Sequence, residues 1–84
     1  MDSNALRRGT KKAVAIWSDM NPRDITMDDK LSDLRPDSKE ELRQRVNEEF
    51  TEEKGFPISI TDWNAASIKT VSDLRDFIRK RVGL

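Results

Sequence analysis

The sequence predicts an all-α domain, a four-helix bundle with three main helices, one short third helix and a long first loop. Three observations lead there. Apolar residues recur at three- and four-residue intervals in three separate stretches. The three prolines and three glycines fall where they can punctuate those stretches. The one segment that alternates like a strand, "FPISI" at 56–60, has no convincing second strand to pair with.

The first helix lies within "NALRRGTKKAVAIWSDM", where Leu6, Ala13, Ile16 or Trp17, and Met20 recur at helical spacing and Ser3 or Asn4 serves as N-cap. Gly9 is a weak point, so residues 1–9 can fray and Thr10 offers a second start. Pro22 ends this helix by disfavouring helical geometry at Asn21. Residues 21–37 form a long connection, polar except for Ile25, Met27, Leu31 and Leu34, and a loop of that length is expected to be packed down by its apolar residues.

The second main helix starts near Ser38. Leu42, Val46 and Phe50 stand four apart and form one narrow apolar stripe, and Gly55 and Pro57 stop the helix. The following loop buries Phe56, Ile58 and Ile60, and Thr61 caps a short turn holding Trp63 and Ala66. Thr70 with Asp73 resembles a capping box opening a last helix whose apolar positions are Val71, Leu74, Phe77 or Ile78, and Val82. The expected inward set is Ile16, Leu34, Leu42, Val46, Phe50, Ile60, Ile68, Val71, Leu74 and Ile78.

Composition narrows the function classes. Eighty-four residues suit a single domain, 1–84, that buries roughly 60 % of its unfolded surface. Apolar residues are 35 % and charged residues 38 % of the chain, so long Lys and Arg stems must help cover a thin core. Sixteen basic and sixteen acidic residues give zero formal charge, which argues against nucleic acid as a partner. Without cysteine or histidine, thiolate chemistry, a Ser-His-Asp triad and the commonest zinc ligands are unavailable, so a non-enzyme is expected. The longest apolar run, "AVAIW" at 13–17, is far short of a membrane span, and a cytoplasmic monomer is the default expectation.

Ser38 is the residue with two readings. Ser38 and Glu41 have capping-box spacing, worth about 1 kcal/mol to the helix, with Pro36 rigidifying the entry and Asp37 placing charge near the positive helix end. The same helix end also suits a phosphodiester on the serine oxygen. Asp28, Asp29 and Asp33 lack the ligand spacing and central glycine of a calcium loop and read as loop solubility. Trp17 and Trp63 read as packing residues, and "EEFTEEK" reads as a solvated helix face.

"DDKLSDLRPDS", a helix ending in "NEEF", and then "ISITDWNAASIKTVSDLRDFI" resemble an acyl carrier protein or a peptidyl carrier domain, over roughly residues 13–80. The resemblance implies a four-helix bundle whose serine, at the start of the second helix, receives phosphopantetheine from a phosphopantetheinyl transferase. It carries thioester-linked intermediates between acyl- or aminoacyl-transferring enzymes, in fatty acid or secondary metabolite biosynthesis. Carried onto this chain, Ser38 matches the attachment site and Asp37 the motif position before it. The second helix implies a docking face, here the mixed set Lys39, Glu41, Arg43 and Arg45. Arg35 stands where the family usually has glycine, Lys39 where it has an apolar residue, and Phe50 follows Ser38 at a shorter interval than usual. A carrier-shaped interaction module, with Ser38 only an N-cap, is the alternative.

Overall fold

The computed structural model describes residues 2–53, 55 and 58–83. They form four α-helices: α1 (Ser3–Ser18), α2 (Leu31–Leu34), α3 (Lys39–Glu48) and α4 (Val71–Val82). Single 3-10 turns lie at Pro22–Asp24 and Ala65–Ser67, and a π-type turn, Glu49–Glu53, extends α3. No strand occurs among the described residues; the one β-type contact is an antiparallel bridge between Lys30 and Thr70. The fold is all-α, with α1 packed against both α3 and α4.

Helix α1 begins one residue earlier than expected. Asp2, not Ser3 or Asn4, accepts the capping hydrogen bond from the Ala5 N–H at 2.7 Å. The helix runs unbroken through Gly9, whose missing side chain makes room for the tip of the Phe50 ring. Its inward face carries Leu6, Thr10, Ala13, Val14 and Trp17, the i, i+4, i+7, i+8, i+11 pattern of one stripe. The buried Thr10 hydroxyl is satisfied by donating to the Leu6 carbonyl at 2.7 Å. Ile16 does not belong to the core: it is 55 % exposed. Trp17 takes the inward position because its larger ring fills the space and its N–H finds a partner there.

The long connection is packed as expected, with Ile25 and Leu31 fully buried and Met27 and Leu34 half-buried against the core. It also contains α2, a helical turn inside the stretch expected to be loop. This single turn is pinned by the Leu31 N–H donating to the Lys69 carbonyl at 2.8 Å, and it ends before Pro36. The segment before it is tied to α4 by three further bonds, from Val71 N to Asp29 O and from both the N–H and the hydroxyl of Ser72 to Met27 O.

Leu42, Val46 and Phe50 are buried, and Ile60, Ile68, Val71, Leu74 and Ile78 complete the core. Gly55 adopts a φ of +65°, where glycine has no steric penalty. The expected burial of Phe56 and the stop at Pro57 lie outside the described residues. The short third helix is reduced to the Ala65–Ser67 turn, capped by the Asn64 side chain rather than Thr61; Trp63 precedes it and packs edge-to-face on Phe77, centroids 5.9 Å apart. The Thr70–Asp73 capping box is present with both reciprocal bonds. Among the described residues no helix is long and apolar enough to cross a membrane.

Candidate functional site

Ser38 is the N-cap residue of α3 by position, but not by hydrogen bonding. Its side chain makes no capping bond, and its φ of +63° and ψ of +39° place it in the left-handed region, sparsely used by non-glycine residues. The Ser38–Glu41 capping box is therefore absent. In left-handed geometry the hydroxyl no longer faces the first-turn N–H groups, and the Glu41 carboxylate is taken instead by the Arg35 guanidinium.

What holds Ser38 in this conformation is its main chain. The Trp17 indole N–H donates to the Ser38 carbonyl at 2.8 Å, while that carbonyl also receives the Glu41 N–H at 2.9 Å. Arg35 closes the arrangement from the other side. Its guanidinium donates to the Trp17 carbonyl at 2.8 Å, pairs with Glu41, donates to Asp37 at 3.2 Å and lies 5.7 Å from the Trp17 ring centre. The hydrogen bond to Glu41, then Asp37, raises the Arg35 guanidinium above its already high ordinary value. The result is a helix start with a pinned backbone and an exposed, unengaged hydroxyl.

The proposed docking residues have mostly internal partners. Lys39 donates from Nζ to the carbonyls of Ala65 (2.9 Å) and Ile68 (2.8 Å). Arg43 donates to the Ile60 carbonyl and pairs with Glu40 at 2.6 Å. Asn47 grips the same residue through both ends of its amide, giving to Ile60 O at 3.0 Å and taking from Ile60 N at 2.9 Å. Positions 39, 43 and 47 are successive turns of one α3 stripe, so this polar face clamps the 60–68 loop. Glu41 belongs to the Arg35 cluster, and Arg45 pairs along the helix with Glu48 at 2.6 Å.

Asp29 accepts from the Thr26 N–H and hydroxyl at 2.9 and 3.0 Å, closing a local turn. Among the described residues no three acidic side chains converge on a metal position. The sequence placed Arg35 in the serine motif only as a departure from the family pattern, and it did not connect Trp17 or Asn47 to the site. The one signal was Arg35 itself, a large cation directly before Pro36 in the segment leading to the serine.

No family model matches this chain, and neither a curated protein nor a solved structure matches it.

Proposed function

We propose that this chain is a small carrier protein, not an enzyme, that holds thioester-linked acyl or peptidyl intermediates on phosphopantetheine attached to Ser38. The observation that carries this reading is the exposed Ser38 hydroxyl, free of any capping bond on a backbone pinned by Trp17. A hydroxyl engaged as a cap would have to be released before reacting; this one does not. The resemblance of "DKLSDLRPDS" and of the carboxy-terminal block to carrier proteins supplies the class of modification.

In the attachment step the Ser38 oxygen forms a phosphodiester with the phosphopantetheine phosphorus of coenzyme A. The bond to 3′,5′-adenosine bisphosphate breaks, and the hydroxyl proton passes to a base of the transferase. The new anion would stand near the positive end of the α3 dipole, a favourable neighbourhood for negative charge even though the serine oxygen makes no bond to the first-turn N–H groups. Bound, the arm supplies a thiol that carries cargo as a thioester, and tethering raises the cargo's effective concentration at each docked enzyme. This chain's own residues hold the attachment point still, through Trp17 and Arg35.

Incubation with coenzyme A and a broad-specificity phosphopantetheinyl transferase should add one phosphopantetheine mass, and Ser38→Ala should abolish it. An unmodified mass for protein isolated from its native cell, together with failure of that organism's own transferases, would leave a carrier-shaped interaction module.

A further inference from the structure

Helix α1 contains Arg7, Arg8, Lys11 and Lys12 and not one carboxylate, in a chain whose formal charge is zero. Three of its cations converge with a fourth from the next turn: a hollow of about 350 Å³ is lined by Arg8, Lys11, Lys12, Pro22 and Arg23. No acidic side chain lines it. Lys12 is engaged by Glu49 at 3.7 Å, but Arg8, Lys11 and Arg23 have no ion-pair partner among the described residues. The walls between the charges are the Pro22 ring and the methylene stems of the cations. Farther along α1, Ile16 is 55 % exposed and Met20, just past its end, 37 % exposed; they are the large apolar residues that remain open to solvent among the described residues.

We propose that this face of α1, with Pro22 and Arg23, is a docking surface for an acidic segment of a partner protein. Carboxylates of the segment enter the hollow between Arg8, Lys11 and Arg23, and an apolar side chain next to them covers Ile16. Charge complementarity selects the acidic occupant, since three unpaired cations around one concavity raise the local anion concentration and steer association. The neighbouring ground selects a peptide over a lipid headgroup layer or a nucleic acid. A second hollow on the same helix, reached by Ile16, is lined by Glu48, Glu49 and Glu52 with Lys12 and Arg45, so its carboxylates outnumber its cations and both cations are already paired, with Glu49 and Glu48. A phosphate-dense surface laid along α1 would meet those carboxylates, whereas a segment of mixed side chains can place its acids on one hollow and an apolar group at the edge of the other. The surface is independent of whether Ser38 carries a group.

The test uses the intact chain, a fluorescein-labelled synthetic peptide alternating glutamate pairs with leucine, and amide chemical shifts. Binding that moves the amides around Arg8, Lys11, Ile16 and Arg23 is expected. Arg8→Glu with Arg23→Glu should weaken it about tenfold or more at low salt, while the fold, checked by circular dichroism, is unchanged. Arg79→Glu with Lys80→Glu, an equal charge change at the end of α4, serves as control and should leave binding within about twofold of the unaltered chain. Absence of peptide binding, or equal loss with the control pair, would overturn the proposal. Binding to phosphatidylglycerol vesicles or oligothymidine in preference to the peptide would overturn it too, by assigning the face to a different class of surface.

Discussion

The Trp17 indole N–H reaches the Ser38 carbonyl at 2.8 Å across twenty-one residues of sequence, tying the end of α1 to the first turn of α3. Trp17 is itself buried, so this bond acts inside the core's edge and fixes the backbone on which the candidate hydroxyl stands. Trp17→Phe keeps most of the apolar ring and deletes the donor. It should destabilise the fold by about 1–3 kcal/mol in urea unfolding, since the lost volume adds to the lost bond. Under the proposed function it should also slow transferase-dependent mass addition at Ser38 while leaving the hydroxyl in place.

Ser38 itself is predicted to respond to backbone preference rather than to capping. Because no bond is lost, Ser38→Ala should leave stability nearly unchanged, where a capping serine would cost about 1 kcal/mol. Ser38→Gly should be the more stable of the two variants by roughly 1 kcal/mol, the approximate penalty that a side chain incurs in left-handed geometry. Equal midpoints for the two variants in chemical denaturation would contradict the φ of +63° as the solution conformation.

Gly9→Ala sets two effects against each other. Alanine is favoured in a helix interior by about 1 kcal/mol. The added Cβ would lie 2.8 Å from Cζ of Phe50, a ring that is fully buried and cannot swing aside. Overpacking costs about 1–3 kcal/mol, so the net change should be destabilising. A paired Phe50→Leu background should relieve the clash and recover part of the loss, which a thermal-melt double-mutant cycle would read.

Leu42 and Ile16 should part company on truncation. Leu42→Ala removes a fully buried side chain and should cost about 2–5 kcal/mol, whereas Ile16→Ala removes a mostly exposed one and should change stability by less than about 1 kcal/mol.

Asp73 links stability to pH. Its carboxyl is held below the usual carboxylate range by the Lys69 and Thr70 backbone N–H groups, both at 3.1 Å. The folded state therefore holds fewer protons than the unfolded one near pH 4. The stabilisation is present above the ordinary aspartate value of about 3.9 and is lost as pH falls through the lower folded value. Urea midpoints measured from pH 2 to 6 should rise with pH more steeply in the natural chain than in Asp73→Asn.

The two box-spaced pairs show what a sequence can and cannot disclose. Thr70 and Asp73 form their box with both reciprocal bonds, and the Asp73 carboxylate accepts from the Lys69 N–H as well without giving it up. Ser38 and Glu41 have equivalent spacing and fail, because Arg35 captures the carboxylate and Trp17 holds the serine main chain. Arg35 is visible nearby as a cation but not its choice of Glu41, and Trp17 lies twenty-one residues away. The core stripe of α3 was legible because it is periodic, but Ile16 and Trp17 stand adjacent, and periodicity alone does not choose between neighbours. Helix α2, at four residues, is shorter than any window in which a period can be seen. The inward role of Lys39, Arg43 and Asn47 was hidden for another reason: their partners are main-chain groups, which leave no mark in residue type.

That last feature bears on how the protein can change. Lys39, Arg43 and Asn47 recognise the connecting loop through the main chain of Ile60, Ala65 and Ile68. Thr61, Asp62, Ala66 and Ser67 are exposed and are not part of this grip, although Asp62 pairs with Arg81 at 3.9 Å and the Ser67 hydroxyl donates to the Asn64 carbonyl at 2.8 Å. The loop can thus exchange most of its outward chemistry without losing its seat. One surface of the molecule is open to respecification while the helix that holds it stays constant.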